Sequence, residues 1–197
     1  VDYACSRAGG DHPGMPVFVH AGQRTTHVHA LATRETIKPG DIVYTEFCSS
    51  YNHYHIDIAR TLSLGEPHPR VAKQIELSAK SWAVLLKALK PNCRLSEFNK
   101  ALKAYYEEVG LWEDRRWVGG YDLGIAFPPD WIGVFYYEAS DESSDRVICP
   151  GTVMNYESQI YLPQGAGLSM IIDTIEINEE NVEIMSRYPP CLLYTSD

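Results

Sequence analysis

Alternating apolar and polar positions in the first third of the chain predict three strands. Residues 15–22, MPVFVHAG, predict a short buried strand. Residues 37–51 pass through a Pro-Gly turn and predict a second strand, and residues 53–65, HYHIDIARTLSLG, predict a third. Tyr51 and Asn52 suit a hairpin turn, so the second and third strands are expected to be neighbours.

The middle of the chain predicts two helices. Residues 67–90 follow the 3.6-residue period of an amphipathic helix, which a Pro-Asn pair ends. The apolar stripe of this helix consists of Val71, Ile75, Ala79, Trp82, Leu85, Leu86 and Leu89. A second helix is expected from Leu95 to Val109, with Ser96 as its N-cap and Gly110 as its stop.

The last third of the chain returns to strand patterns. Gly and Pro residues punctuate residues 117–131, which predicts a strand followed by a loop, and residues 139–145, ASDESSD, predict an acidic surface loop. Residues 151–163 and 167–185 predict strands that pair antiparallel. The order of strands, two helices and strands predicts an α+β fold with helices packed on a curved antiparallel sheet.

Composition narrows the classes of partner. The 197 residues are 45% hydrophobic, which is typical of a globular chain, and the formal net charge is -9. Such an acidic chain is a poor candidate for a basic nucleic-acid-binding face, and no apolar run reaches membrane-spanning length. Five cysteines without CxxC spacing are expected to be reduced thiols in a cytoplasmic protein.

Residues that can carry chemistry recur in a specific order along the chain. His29 precedes a hairpin in which Glu46 stands eleven residues before Asp57. The stretches GYDLG at 120–124, PGTVMNYESQIY and GLSMIIDTIEI come later. Over nearly the whole chain this order resembles the pita-bread family of creatinases, prolidases and Xaa-Pro or methionine aminopeptidases.

The resemblance implies an organisation as well as a fold. It implies a pita-bread fold of α+β class, with a curved antiparallel sheet and helices packed on one face. Residues 1–190 are expected to form a single catalytic domain of a homodimer, with an upstream domain missing. Residues 191–197, CLLYTSD, have no clear structural role and are expected to be a non-native tail.

In the metallopeptidases of this family, two metal ions are held by Asp, Asp, His, Glu and Glu. The resemblance places these five positions on Glu46, Asp57, Tyr121, Glu157 and Ile172. A neutral phenol is a poor substitute for imidazole, and an isoleucine has no donor atom. Glu176, four residues beyond Ile172, is a candidate for partial compensation. The leading expectation is no cofactor; a residual Mn, Zn, Co or Fe ion would be held by Glu46, Asp57 and Glu157.

A second resemblance points to a branch that works without metal. The stretch GYDLGIAFPPDW, residues 120–131, resembles ectoine hydrolases, which carry Tyr at the same position before a similar Pro-Pro-Asp-Trp segment. Without a metal-bound hydroxide, a side chain must accept the proton of water, and a histidine suits that task near neutral pH. His29 is the histidine at a motif position.

These observations assign a role to each candidate residue. The catalytic candidates are His29 as general acid and base, Tyr121 as hydrogen-bond donor, and Glu157. The candidates for binding a cationic or amidine-like small molecule are Glu46, Asp57 and Trp131, with Phe127 and Tyr54 as further aromatic faces. The function expected is hydrolysis of a C–N bond in a small substrate, of the creatinase or ectoine hydrolase kind.

Two other functions stay open. One is a metallopeptidase of the Xaa-Pro aminopeptidase or dipeptidase type with an altered metal site. The other is an inactive pita-bread module that binds a peptide or protein partner.

Several of the same residues also have purely structural interpretations. His29 can be an ordinary loop histidine, Tyr121 and Trp131 can be core aromatics, and Arg60 can form an ion pair with a nearby carboxylate. Three of the histidines without a matched role are expected to be exposed residues of strands or turns: His27, His53 and His55.

Overall fold

The structure is a computed structural model that describes residues 1–194. The helices are α1 Asp2–Arg7, α2 Pro69–Ala88 and α3 Leu95–Glu108. The strands are β1 Phe18–Ala21, β2 Ile42–Tyr51, β3 Tyr54–Ser63, β4 Arg115–Leu123, β5 Ile132–Glu138, β6 Val153–Tyr161, β7 Leu168–Ile177, β8 Val182–Ile184 and β9 Leu193–Tyr194.

The strands form one sheet in the order β1-β2-β3-β7-β6-β4-β5, with β8 beside β7 and β9 beside β3. Every pair is antiparallel except β3 with β9. The predicted pairing of 151–163 with 167–185 is confirmed, because β6 and β7 pair along their whole length. The predicted α+β class is confirmed as well.

The two long helices cover one face of this sheet. Alternate residues of a strand point to opposite faces of the sheet. One set of alternating apolar residues in β6 and β7 therefore packs against α2 and α3, and the residues between them point to the other face. The sheet contributes to this core Val118, Met154, Tyr156, Ile160, Ile171, Ile175 and Ile177. The helices contribute Val71, Ile75, Trp82, Leu85, Leu95, Phe98, Leu102 and Tyr106.

The opposite face of β6 is polar although it is buried. Asn155, Glu157 and Gln159 alternate with the apolar positions and are each no more than 3% exposed. Buried polar groups require hydrogen-bond partners, so this polar face of the sheet, the site face, is where a functional site is expected.

The turn and cap predictions need two corrections. The β2–β3 hairpin turns at Asn52 and His53, one residue later than predicted, and both have positive φ. That conformation matches a two-residue turn to the twist of its strands. The N-cap of helix α3 lies two residues before the predicted Ser96: Arg94 is the N-cap, the helix begins at Leu95, and Glu97 accepts a hydrogen bond from the Arg94 backbone N–H.

The C-terminal segment meets the sheet more closely than expected. Leu193 and Tyr194 pair in parallel with Leu62 and Ser63 of β3, and Leu192 packs against the helix-face core. The rest of the expected tail lies outside the described residues, and its non-native origin stays a prediction. Among residues 1–194, none of the helices has the length and apolarity needed to cross a membrane.

Candidate active site

Five strands bring the candidate side chains into two adjacent rows on the site face. The first row consists of Glu46, Ala59, Ile172 and Glu157, which are successive Cα partners. The second row consists of Cys48, Asp57, Thr174, Asn155 and Tyr121. The register of the sheet therefore brings together all three carboxylates that the sequence singled out.

Asp57, in the second row between Cys48 and Thr174, is fully buried. Its Oδ2 accepts hydrogen bonds from the Tyr121 hydroxyl at 2.9 Å and from the Asn155 side-chain nitrogen at 3.1 Å. The Tyr121 oxygen accepts a further one from the Trp131 indole nitrogen at 3.2 Å. Tyr121 and Trp131 thus belong to one hydrogen-bonded chain that ends on Asp57.

Glu157 is held by two amide side chains of its own strand. Asn155 donates from the same nitrogen to Glu157 Oε1 at 2.9 Å, and Gln159 donates to Oε2 at 2.6 Å. Asn155 therefore links Asp57 to Glu157. Gln159 in turn accepts a hydrogen bond from the Arg116 guanidinium at 2.7 Å.

A β-bulge in β4 allows Arg116 to reach this face. The pairing of β4 with β6 shifts register between Arg115 and Trp117. Such irregularities redirect side chains and are common beside functional sites. Arg116 contacts Gln159, while its neighbour Trp117 stacks on Tyr121 with ring centroids 6.3 Å apart.

Burial raises the pKa of all three carboxylates. The pKa of Glu46 is raised well above its ordinary value by burial and then by the charges of Asp57 and Glu157, which the charge of Arg116 partly offsets. Burial raises the pKa of Asp57 to about 6. Burial, followed by the charge of Asp57, raises that of Glu157 to about 8. A cation placed among them would favour their ionised forms.

Two oxygens of this cluster have no hydrogen-bond partner among the described residues. They are Glu46 Oε2 and Asp57 Oδ1, and both are buried. A buried acceptor without a donor is costly, so these two atoms mark where a ligand group would be stabilised.

His29 lies at the open side of the cluster. Its Nε2 is 3.9 Å from Glu46 Oε1, and its side chain is 48% exposed. The imidazole stacks on Phe18 with ring centroids 5.0 Å apart and forms a T-shaped pair with Trp131, 5.9 Å between ring centroids. Burial, and then the charges of Arg116 and His20, lower its pKa. A neutral imidazole is the form that accepts a proton.

The two further aromatic candidates lie at the end of the β2–β3 hairpin. Tyr54 and Phe127 are 60% and 61% exposed. The Phe127 ring packs on His53, 4.5 Å between centroids, and Tyr54 bridges to Ile125. No contact described for either side chain reaches the carboxylates.

Residues 1–179 match the metallopeptidase family M24. The chain belongs to this family. It is 25% identical over 187 residues to the Xaa-Pro dipeptidase of Pyrococcus furiosus, a match that covers 95% of this chain and 51% of that protein. It is also 25% identical over 180 residues to the creatinase of Bacillus sp. strain B-0618, covering 88% of this chain and 42% of that protein.

A solved structure gives the same assignment of fold. The X-Pro aminopeptidase of Thermotoga maritima MSB8 superposes with a TM-score of 0.84 at 20% identity, covering 98% of this chain and 53% of that one. The predicted family and pita-bread fold are confirmed. The chain spans about half the length of the curated relatives it matches, which are peptidases and a creatinase, hydrolases of C–N bonds.

The side chains present do not fit the two-metal site of the M24 metallopeptidases. Tyr121 stands where a histidine ligand is expected, and its hydroxyl donates to Asp57. Ile172, at a carboxylate position, is fully buried between Ala59 and Glu157. The Asn155 amide donates hydrogen bonds to both Asp57 and Glu157. In a two-metal site the oxygens of these carboxylates would instead have to be free to bind the metal ions.

Glu176 does not supply the missing carboxylate. It lies on the same strand face as Ile172, but it is exposed and pairs with Val153 and Glu183 at the end of β7. The predicted strand face of Glu176 is correct, but the residue lies too far along β7 for its side chain to join either row.

The structure also tests the predicted ion pair of Arg60 and the predicted exposure of three histidines. The Arg60 ion pair is confirmed: its guanidinium contacts Asp173 at 2.5 Å, on the helix side of β3 and β7. The exposure expected for His55 is wrong, since His55 is 2% exposed and accepts a hydrogen bond from the Gly14 backbone. His27 and His53 are exposed as predicted.

Sequence reasoning missed four residues around the site. Asn155 and Gln159 stand two positions before and after Glu157, so strand alternation alone could have placed them on its face. Arg116 reaches the site only because of the bulge, which has no sequence signal. His20 requires the tertiary pairing of β1 with β2.

Proposed function

We propose that this chain hydrolyses a C–N bond in a small cationic or amidine-like molecule without a metal ion, in the manner of creatinases and ectoine hydrolases. The observation that carries the proposal is the Asn155 amide, which donates to both Asp57 and Glu157 where a metallopeptidase needs free carboxylate oxygens. The carboxylates are then left to bind a cationic group of the substrate.

His29 would transfer the proton in this reaction. Its neutral imidazole accepts a proton from water as the water oxygen bonds to the substrate carbon. The C–N bond breaks, and His29 returns the proton to the leaving nitrogen. Glu46, at 3.9 Å from Nε2, would stabilise the imidazolium formed in between.

The carboxylates and their donors would hold the substrate. Glu46 Oε2 and Asp57 Oδ1, which have no partner within residues 1–194, would accept hydrogen bonds from N–H groups of a cation. The Trp131 ring, which meets His29 edge-on, offers an aromatic face to the same group. Tyr121 keeps Asp57 oriented.

The test combines metal content with turnover. The 197-residue chain, purified without chelators, should contain well below one equivalent of Mn, Zn, Co or Fe. Hydrolysis of ectoine, creatine or a related cyclic amidine should survive EDTA. His29→Gln should lower kcat by about 10²–10⁴-fold, the usual worth of general acid–base catalysis, while circular dichroism stays unchanged.

Stoichiometric metal, or turnover that chelation abolishes, would overturn metal independence. Unchanged turnover by His29→Gln would remove His29 from the mechanism. Absence of hydrolysis with every substrate, peptides included, would favour an inactive binding module. A homodimer, expected from the family resemblance, would be checked by sedimentation velocity.

A second candidate is an Xaa-Pro dipeptidase or aminopeptidase with an altered metal site. It is favoured by the two oxygens of Glu46 and Asp57 that lack a partner in the described part of the chain, since a single residual metal ion could also satisfy them. Chelator-sensitive cleavage of Xaa-Pro dipeptides would support this function. The double substitution Tyr121→His and Ile172→Glu restores the family's ligand types and should raise metal content above that of the native chain.

A further inference from the structure

His20 is buried beside the site, and the proposed mechanism does not use it. Its Nε2 lies 2.6 Å from the Ala30 carbonyl oxygen, and its Nδ1 lies 2.7 Å from the Tyr44 hydroxyl. A carbonyl oxygen only accepts, so Nε2 carries a proton and donates to Ala30. Burial lowers the pKa of His20, which favours the neutral ring, and its bare Nδ1 then accepts from Tyr44.

The residue held by this hydrogen bond directly follows His29. His29 has φ of 63°, a left-handed conformation that costs a non-glycine residue on the order of 1 kcal/mol and persists only where surrounding contacts impose it. The Ala30 N–H donates to the His27 carbonyl at 3.3 Å, and Arg24 donates to the Leu31 carbonyl at 2.9 Å. His20 supplies a buried hydrogen bond to this loop, and Val28 packs against the buried cluster that contains Tyr44.

Strand β1 holds His29 at two points. Phe18 and His20 are two residues apart on one face of the strand, opposite Glu46 and Tyr44 respectively. Phe18 stacks on the His29 ring, and His20 holds the backbone that follows it. The ring orientation and the chain position of His29 are therefore both set from the strand that faces Glu46.

We propose that His20 is a positioning residue: through the Ala30 carbonyl it holds the imidazole of His29 beside Glu46. This inference rests on the proposed role of His29 as the proton-transfer group. It assigns to His20 no contact with the substrate.

The decisive pair of variants is His20→Asn and His20→Gln. Asparagine places its amide near the Nδ1 position and is too short to reach Ala30, whereas glutamine places its amide near the Nε2 position and can donate to the Ala30 carbonyl. In the histidine-labelled chain, the ring protons of His29, assigned with His29→Gln, report its stacking on Phe18. We expect His20→Asn to shift these signals toward those of an unstacked ring. His20→Gln should restore the native signals.

Activity gives a second readout. Displacement of a proton-transfer group should lower kcat of His20→Asn by about 10- to 100-fold with KM within about threefold of native, and His20→Gln should recover most of the loss. A purely structural role predicts lower stability with unchanged kcat per folded molecule.

The two readouts separate this inference from the proposed function. Unchanged His29 signals in folded His20→Asn would overturn the positioning role and leave the hydrolase proposal standing. If the His29 signals are displaced in His20→Asn but the native chain hydrolyses none of the substrates, the positioning role stands and the hydrolase proposal is overturned. Should His20→Asn not fold, Tyr44→Phe removes only the hydroxyl that holds the His20 ring; we expect a smaller displacement of the same signals, and none at all would overturn the inference.

Discussion

Glu157 shows what a single buried carboxyl does to stability. Burial and then the Asp57 charge raise its pKa from 4.5 to about 8, so between these values the folded chain binds more protons than the unfolded chain. The free energy of unfolding should therefore fall as pH rises through this window. The loss should be on the order of 1–4 kcal/mol, and it should persist above the folded pKa.

Glu157→Gln removes this titrating group, so its unfolding free energy should depend less on pH between 5 and 9 than that of the native chain, as measured by urea denaturation. Some dependence should remain, because burial raises the pKa of Glu46 and of Asp57 as well. Glu66→Gln, at an exposed position, is the control and should keep the native slope. An equal slope for Glu157→Gln would contradict the raised pKa.

At the scale of elements, the packing of β4 depends on glycine. A Cβ at Gly120 would lie 2.2 Å from the Asn155 carbonyl oxygen, a backbone atom that cannot move independently of β6. Gly120→Ala should therefore destabilise the chain by about 2 kcal/mol or more, in the range of overpacked cores. Gly124→Ala meets nothing within 4 Å and is the matched control. Thermal melting of both variants tests this, and equal melting temperatures would contradict it.

The elements also show which parts of the fold the sequence could predict. The β2–β3 hairpin, both long helices and the β6–β7 pair have clear periodicity, and all were found. Strand β5 was missed because the Gly and aromatic residues of 132–138 follow no simple alternation. The placement of Asn155 and Gln159 beside Glu157 was available from alternation, whereas Arg116 depends on a bulge and His20 on a long-range strand pairing.

At the scale of the whole molecule, Arg60 ties the C-terminal segment to the sheet. Its guanidinium donates to Asp173, to the Ile172 carbonyl, to the Ser186 hydroxyl and to the Tyr188 carbonyl. Arg60 and Asp173 are 6% and 1% exposed. Breaking a buried pair from one side leaves an uncompensated charge, which costs about 3–5 kcal/mol.

Arg60→Met should therefore lower the free energy of unfolding in urea by about that amount, and it should also make residues 186–190 more susceptible to limited proteolysis. Arg60→Met combined with Asp173→Leu should recover part of the stability, because no charge is then left buried. Lys73→Met, in an exposed pair with Glu76, should change stability by less than about 1 kcal/mol. If the single Arg60 variant is as stable as the Lys73 variant, the pairing of the C-terminal segment with β3 and its apolar contacts are enough to hold it, and the ion pair adds no stability.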